Sequence, residues 1–385
     1  PLAVNIGRCF QGYKGMDKEF RIIDTETANQ LLSANNIEEG LSNSDVVIQL
    51  ADGQYFRDRT YKWIIDFRDF DEMTASEYIA PFQHMVDLGL EQHILDKNTN
   101  SEGQESSYAK YNHQDRWWQI LWNRRSDMWT TIHGLGLQNY IIKQEVAARS
   151  FHFEMISTSV APDGALYVIL SERRWELGVL LSDIHEVWFN EISANRGNSG
   201  RYQTPVFESF PIPSEPSNEQ INLIEAAVSA YFERIDSLLP LEQYNGRLDL
   251  LMRDPPHILV LARQQINRAV YPLYGLDADG NHDQAALLAA ASELKHQMLL
   301  IEEETCLQES QSQLTSIPGL GDTAIVTLNE AGILNYSQLI QAGVSGLTQL
   351  DGIGPSGAAN FVAFARGVQL RIEEINQLLN SKEEE

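Results

Sequence analysis

Hydrophobic residues follow two patterns along this chain: short continuous runs, and a helical spacing of three to four residues. The short runs lie in the first part of the chain, which suggests where that part ends. Short apolar runs, DVVIQL, KWIIDF and ALYVIL, occur before residue 216, between stretches with helical spacing. Runs of this length are typical of strands, so this first part is predicted to mix strands with helices. The segment FPIPSEP at residues 210–216 is rich in proline and predicts a domain boundary.

Residues 217–312 follow a helical pattern throughout. Apolar residues recur at three- and four-residue intervals in NEQINLIEAAVSAYFERIDSLL, PPHILVLARQQINRAVYPLY and HDQAALLAAASELKHQMLLIEEE. This spacing places the apolar side chains on one face of each helix, where they pack against a core. We predict a helical connector here and assign it no chemistry.

An internal repeat occupies residues 313–385. LTSIPGLGDTAIVTLNEAGI is echoed 33 residues later by LTQLDGIGPSGAANFVAFARG, and each copy has a Gly-apolar-Gly turn before a helix. The glycines of the two turns are Gly319, Gly321, Gly352 and Gly354. The repeat resembles a tandem helix-hairpin-helix module, which implies that backbone N–H groups at each turn contact a DNA phosphate beside a helix amino terminus.

The charges around this repeat leave a second function open. Arg366 is outnumbered there by Asp322, Glu330 and Asp351, and the chain ends in an acidic tail. DNA-binding modules of this kind usually carry Lys or Arg near their glycines. The module can therefore contact DNA through its backbone amides, or it can serve packing or dimerisation.

Composition fits a protein of the reducing cytoplasm. The chain has 385 residues, is 43% hydrophobic, and contains only Cys9 and Cys306, which predicts neither a disulfide framework nor a cysteine metal site. No apolar run approaches the roughly 18 residues of a membrane helix, and residues 1–10 do not resemble a signal peptide. We predict an α+β protein with a mixed domain at residues 1–216, an all-α connector at 217–312 and the repeat at 313–385.

Several segments before residue 216 occur in an order that is found in one family. They are NIGRCFQGYKGMDKEF, DVVIQL, RTYKWIIDFRDF, DRWWQILWNRRSDMWTTIHGLGLQNYIIK, SDIHEVWFNE and TPVFESFPIPSEP. The ordered set resembles the target-recognition region of adenine-specific DNA methyltransferases from restriction-modification systems. The resemblance implies that this region reads double-stranded DNA, whereas a catalytic domain transfers the methyl group from S-adenosylmethionine.

The catalytic half of such an enzyme is not found in its expected place. Neither a glycine-containing cofactor loop nor an Asn/Asp-Pro-Pro-aromatic tetrapeptide precedes these segments, and the chain begins at Pro1. We expect a fragment or a processed piece that alone neither binds S-adenosylmethionine nor methylates DNA. DPPH at residues 254–257 resembles the tetrapeptide, but its flanks GRLDLLMR and HILVLARQQINRAV have helical patterns, so we interpret it as a helix start with proline in the first turn.

The first candidate DNA contacts are the cations of a locally basic segment. A net charge of −26 opposes binding to phosphate, but residues 115–149 hold five cations against three anions. Arginine pairs bidentately with guanine or phosphate. From this basic stripe we predict DNA contacts by Arg116, Arg124, Arg125 and Lys143.

Two polar loops supply the other candidates. In DNA recognition, Asn and Gln bind adenine and Arg binds guanine in the major groove. Residues 52–62 carry Gln54, Arg57 and Arg59, and residues 191–204 carry Asn195, Arg196, Asn198, Arg201 and Gln203. The alternative for both is an ordinary polar surface loop.

Aromatic and histidine residues are assigned to the core. Trp117, Trp118, Trp122 and Trp129 occur at helical intervals, so at least two should face one core. The spacing of His133, His152 and His185 matches no compact ligand motif, so no metal site is predicted. We interpret His185 as a hydrogen-bonded packing residue.

Two functions follow from the sequence. The first is a sequence-specific DNA recognition module of an adenine-N6 methyltransferase from a restriction-modification or phage-defence system, with the catalytic domain in the same polypeptide or in a partner subunit. The alternative is an acidic scaffold that holds a methyltransferase or nuclease without touching DNA. The slope of duplex affinity against salt distinguishes them, because phosphate contacts weaken as salt rises.

Overall fold

The computed structural model describes residues 1–36, 40–97, 113–120, 124–146, 151–195, 200–311 and 314–380. The chain divides into two compact units, Ala3–Ala291 with Pro1 and Ser292–Glu385 with Leu2. The first unit combines sheets with helices and the second is helical, so the predicted α+β class is confirmed. The domain boundaries at residues 216 and 312 stay predictions. None of the helices within these ranges is both long enough and apolar enough to cross a membrane.

Two four-stranded sheets are present in the described part of the first unit. The strands are β1 (Cys9–Gln11), β2 (Ile22–Ile23), β3 (Val47–Ala51), β4 (Lys62–Ile65), β5 (Asn139–Gln144), β6 (Glu154–Ser157), β7 (Val160–Pro162) and β8 (Leu166–Ile169). One sheet has the order β1-β8-β5-β6 and is antiparallel, and the other has the order β2-β4-β3-β7 with β3 and β7 parallel. The runs DVVIQL, KWIIDF and ALYVIL supply β3, β4 and β8, which confirms their prediction as strands.

Helices cover and connect these sheets. The described helices of the chain are α1 (Lys18–Arg21), α2 (Thr25–Ser33), α3 (Tyr55–Asp58), α4 (Glu72–Glu77), α5 (Ile79–Asp87), α6 (Leu90–Asp96), α7 (Arg124–Leu135), α8 (Arg174–Leu181), α9 (Asp183–Asn195), α10 (Thr204–Ser209), α11 (Asn218–Leu238), α12 (Leu248–Arg253), α13 (His257–Val270), α14 (Gln284–Gln311), α15 (Asp322–Glu330), α16 (Tyr336–Leu347) and α17 (Pro355–Asn380).

The predicted helical connector is confirmed in its secondary structure. A capping box between Ser217 and Gln220 starts α11, because each residue's side chain accepts a hydrogen bond from the other's backbone N–H. The apolar faces of α11 and α13 are buried at Ile224, Val228 and Ile266. The regular spacing of these apolar residues therefore correctly predicted which face of each helix is buried against a core.

The Trp-rich segment lies in the core, as predicted, but not as one helix. Trp117 and Trp118 follow a 3-10 helix at His113–Arg116 and are both buried in a turn. The buried guanidinium of Arg21 holds this turn by donating hydrogen bonds to the carbonyl oxygens of residues 117, 118 and 119 at 2.8, 2.8 and 2.6 Å. Trp129, in α7, packs against a core cluster that contains neither Trp117 nor Trp118. Trp122 lies outside the described residues.

The same turn occurs twice in the second unit. Gly319 and Gly352 adopt left-handed φ angles of 78° and 82°, and a helix begins three residues after each of them, at Asp322 and Pro355. The second glycine of each turn accepts the first helical hydrogen bond through its carbonyl, from Ile325 to Gly321 and from Ala358 to Gly354. The apolar residues of both copies form one core cluster, which includes Ile317, Leu328, Leu347, Ile353 and Val362.

Candidate nucleic-acid interface

The turn at residues 163–165 brings distant parts of the first unit together. It joins β7 of one sheet to β8 of the other. The Asp163 N–H bonds to the carbonyl of Ala51 at 2.8 Å, and the Ala165 carbonyl accepts from Glu145 N at 2.9 Å. Tyr13 forms an isolated bridge with Asp163. Three segments that are far apart in sequence therefore meet at this turn.

Two glycines allow this close approach. An ideal Cβ on Gly12 would lie 2.3 Å from the Asp163 carbonyl oxygen, and one on Gly164 would lie 2.6 Å from that of Tyr13. Both contacts involve backbone atoms, which cannot rotate away as a side chain can. Glycine is therefore required sterically at both positions.

Replacing Gly12 with alanine should lower the free energy of unfolding by about 1–3 kcal/mol, the usual range for overpacking. Urea unfolding measures this change. Gly134→Ala is the matched control, because a Cβ at that position in α7 meets nothing within 4 Å and alanine favours helix. A Gly12→Ala protein as stable as the wild type would contradict the close approach.

Cationic and amide side chains surround the turn. Lys18 pairs with the Asp163 carboxylate, Lys62 pairs with Asp52 at 2.7 Å, and the exposed Lys14 lies beside Gly164. An ideal Cβ on Gly53 would lie 3.5 Å from Gln144 Nε2 and 3.9 Å from Ala165 Cβ, which places the start of the 52–62 loop at the same turn. We call the following set the turn edge: Lys14, Lys18, Gln54, Lys62, Gln144 and Arg201.

Arg201 joins the turn edge through the two residues that follow β5. Arg201 and Val146 form an antiparallel bridge, and Tyr202 N donates to the Glu145 carbonyl at 2.7 Å. The Arg201 guanidinium is 58% exposed and lies 3.9 Å from the Glu145 carboxylate. Gln203, at the amino end of α10, is half-buried. Asn195 is the last residue of α9, and the structure does not describe its side chain. Arg196 and Asn198 lie outside the described residues.

The 52–62 loop contains a helical turn, α3, and its candidates differ in their surroundings. Gln54 is half-buried at the start of α3, and its N–H bonds to Asp52 Oδ1 at 2.8 Å. Arg57 is exposed and bonds to Asp58 at 3.1 and 2.9 Å. Arg59 is turned inward and pairs with the buried Glu154, so it supports the loop from below.

The predicted basic stripe does not form one surface in the described residues. Arg116 is exposed at the end of its 3-10 helix. Arg124 and Arg125 begin α7, and their side chains lie outside the description.

Lys143 requires a correction to its predicted place on that stripe. It is 1% exposed, and its ammonium lies 5.7 and 5.5 Å from the ring centres of Phe151 and Phe153. Burial lowers its pKa from 10.5 to about 7. A DNA phosphate cannot reach a side chain in this position, so we remove Lys143 from the candidate contacts.

The histidines of the core behave as packing residues. His185 is fully buried, with Nδ1 2.9 Å from the Leu180 carbonyl and Nε2 3.2 Å from Tyr202 Oη, which confirms its prediction. Burial lowers its pKa to about 3, so the ring is neutral at physiological pH. Among the side chains that the structure describes, no group of three His, Cys, Asp or Glu residues could hold a metal ion.

DPPH lies between two helices, as its flanks predict. α12 ends at Arg253, and α13 begins at His257 directly after Pro256, which occupies the N-cap with an extended backbone. The prolines therefore precede the helix and are not in its first turn. The helix-start interpretation is confirmed with this shift.

Four residues of the turn edge were not predicted as DNA contacts from the sequence: Lys14, Lys18, Lys62 and Gln144. The two lysines at 14 and 18 lie in NIGRCFQGYKGMDKEF, which carries part of the family resemblance, but their distance from both polar loops in sequence concealed their proximity in space. The close-packed pair Gly12 and Gly164 is the signal that could have suggested it, because glycine often marks close backbone approach.

Comparisons with known proteins give one kind of match. No protein-family model and no curated protein sequence matches this chain. Among solved structures, the chain is similar to the Type IIL restriction-modification enzyme MmeI in complex with DNA, with a TM-score of 0.53 and 18% sequence identity. The match covers 75% of this chain and 35% of that chain, so this chain spans about a third of that enzyme's length. At this identity, the similarity relates the two proteins at the level of the fold.

Proposed function

We propose that this chain is the DNA target-recognition region of a restriction-modification or phage-defence enzyme, and that its turn edge contacts duplex DNA. One observation carries the proposal: three segments distant in sequence meet at the 163–165 turn, and with Arg201 from a fourth segment they present cations and amides there. Similarity in fold to a DNA-bound restriction-modification enzyme supports it.

The side chains of the turn edge suit two different tasks. Lys14, Lys18 and Lys62 are flexible ammonium groups that can neutralise phosphates without reading sequence. Gln54, Gln144 and Arg201 offer amide and guanidinium groups, which pair with adenine and guanine edges respectively. Four cations and three carboxylates meet here, in a chain whose net charge is −26, so the edge is favourable for an anion relative to the rest of the surface.

The parent enzyme is proposed to be an adenine-N6 DNA methyltransferase that uses S-adenosylmethionine. Its catalytic domain belongs to the same polypeptide or to a partner subunit. The repeat in the second unit can add phosphate contacts, because the amides after Gly319 and Gly352 stand at the starts of α15 and α17.

Salt dependence tests the turn edge. The double variant Lys14→Ala/Arg201→Ala should bind a short random duplex more weakly, and its slope of log affinity against log salt should fall by up to about two, since each phosphate contact contributes about 0.9. Fluorescence anisotropy over a salt series gives this slope. The matched control, Arg253→Ala/Arg268→Ala, removes two exposed cations from α12 and α13 and should keep the wild-type slope.

Equal slopes for both double variants would place the phosphate contacts elsewhere and contradict the proposed role of the turn edge. A wild-type chain that binds no duplex even at low salt would overturn the recognition function. The acidic scaffold would then be favoured, which the net charge of −26 already suits.

A further inference from the structure

The end of β5 and the two residues that follow it have one face that emerges from the core. Alternate residues of a strand lie on the same face. Exposure rises along this face from Ile142 at 0%, through the half-buried Gln144, to Val146 at 50%. The opposite face carries Lys143, which is buried. Gln144 and Val146 therefore reach the surface next to each other, beside the 163–165 turn.

A second segment pairs with this end of the strand. Val146 and Arg201 form an antiparallel bridge. The nearby hydrogen bond, 2.7 Å long, runs from Tyr202 N to the Glu145 carbonyl, so Val146 and Arg201 themselves are a non-hydrogen-bonded pair. The side chains of such a pair lie close together on one face. Tyr202, the next residue, is fully buried, as this alternation requires. We call Gln144, Val146 and Arg201 the strand-end face.

The side chains of the strand-end face are accessible to a ligand. Within the described part of the chain, no hydrogen bond engages the Gln144 side chain, and its Nε2 lies 3.5 Å from an ideal Cβ on Gly53. The Arg201 guanidinium is 58% exposed, and the 3.9 Å to the Glu145 carboxylate is too long for a hydrogen bond. The face therefore combines an accessible amide, an exposed apolar side chain and an exposed guanidinium.

The dimensions and chemistry of this face fit the major groove of DNA. That groove is about 12 Å wide and admits a two-stranded β-ribbon. Side chains two residues apart on a strand are about 6.8 Å apart, which equals two base steps of about 3.4 Å. A glutamine amide pairs with N6 and N7 of adenine, and an apolar side chain contacts the C5 methyl group of thymine.

We propose that the strand-end face enters the major groove of the target duplex, where Gln144 selects an adenine and Val146 selects a thymine within about two base steps of it. This inference rests on the proposed function and names the bases that this part of the turn edge selects. An apolar side chain such as Val146 adds nothing to phosphate binding, whereas a contact with a thymine methyl group uses it.

Selection from a randomised duplex library tests the adenine contact. The full wild-type chain should enrich a motif that contains an adenine. Gln144→Leu should reduce the preference for adenine at one position of this motif about tenfold, because it loses both hydrogen bonds to the base. Gln144→Glu should change the preferred base at that position to cytosine, since a carboxylate accepts from the cytosine N4 amine. Gln265→Leu, at an exposed glutamine of α13, is the matched control and should enrich the wild-type motif.

Uracil substitution tests the methyl contact. Uracil lacks the C5 methyl group, so replacing the selected thymine of the enriched duplex with uracil should weaken wild-type binding about fourfold, the effect of one buried methyl group. Val146→Ala should bind both duplexes with nearly equal affinity, because it lacks the two methyl groups that reach the thymine. The matched control Val260→Ala, at a 38% exposed valine of α13, should retain the difference. Fluorescence anisotropy measures these affinities.

The outcomes separate this inference from the proposed function. An unchanged motif for the folded Gln144 variants, or equal wild-type affinity for thymine and uracil at every thymine of the motif, would overturn the inference and leave the proposed function in place. A wild-type chain that enriches no motif would overturn both. If the Gln144 variants do not fold, as judged by circular dichroism, the uracil test decides. Gln144→Leu and Val146→Ala remove no charge, so a changed base preference in them does not come from lost phosphate contacts, which the salt slope of Lys14→Ala/Arg201→Ala reports.

Discussion

Replacing Arg59 with alanine is expected to lower the free energy of unfolding by about 3–5 kcal/mol, the usual loss when one partner of a buried ion pair is removed. The Arg59 Nε and Nη2 atoms donate to Glu154 Oε1 at 3.0 and 2.7 Å, and Glu154 is 5% exposed. His152 Nε2 lies 2.9 Å from the same oxygen. Without the guanidinium, the carboxylate loses its permanent positive partner in the core.

The protonation states support this expectation. Burial alone would raise the pKa of Glu154, but the hydrogen bonds of His152 and Arg59 and the positive charge of Arg59 outweigh it and lower the pKa. Burial lowers the pKa of His152, so its ring is neutral at pH 7 and does not replace the missing cation. The stabilisation from a carboxylate whose pKa is lowered on folding is present at neutral pH and is lost as pH falls through the folded-state value.

Urea unfolding at pH 7 measures the change, with Arg57→Ala as the matched control. Arg57 lies two residues earlier, is exposed, and pairs with Asp58, so its loss should cost no more than about 1 kcal/mol. Equal stability of the two variants would show that the Arg59 pair contributes no more than a surface pair. Arg59 stabilises the 52–62 loop through its pair with the buried Glu154. The selectivity of this loop for DNA bases is therefore better tested at Gln54, which belongs to the turn edge.

Replacing Lys143 with methionine is expected to raise the free energy of unfolding at pH 7 by about 2–4 kcal/mol, since each unit of pKa shift corresponds to about 1.36 kcal/mol. The ammonium is buried and the pKa falls from 10.5 to about 7 on folding. Methionine has a similar length and carries no charge to desolvate. It can also pack against Phe151 and Phe153, which now face the ammonium.

The pH dependence fixes the sign of this effect. Between pH 7 and 10.5 the unfolded chain binds a proton at Lys143 that the folded chain does not, so wild-type stability rises with pH across this window through this group. The advantage of Lys143→Met is therefore largest at pH 7 or below and disappears towards pH 10.5.

Unfolding curves at several pH values test this dependence, with Lys14→Met as the control at an exposed lysine. A gain that does not shrink between pH 7 and 10 would contradict the assigned cause. Lys143→Met should bind duplex DNA with the affinity of the wild type. If Lys143 contacted DNA as part of the basic stripe, this substitution would lower the affinity.

The secondary structure of this protein was largely determined by its local sequence. The runs that form β3, β4 and β8 were predictable because β-branched residues favour the extended conformation of a strand. The helices α11 and α13 were predictable from apolar spacing, and the repeat predicted that Gly319 and Gly352 would form the same turn. In each case the signal lies within a few residues of the structure that it predicts.

Tertiary structure decided which polar residues remained on the surface. Lys143 and Lys14 are both lysines beside aromatic or apolar runs, yet one lies in β5, between β8 and β6, and the other is exposed beside Gly164. Arg59 was likewise turned inward by Glu154, a partner 95 residues away. Burial depends on what packs across each strand from distant parts of the chain, and local composition carries no record of those neighbours. The sequence alone therefore determined the elements and the family resemblance, whereas the turn edge exists only because the fold brings the 163–165 turn against segments that are distant in sequence.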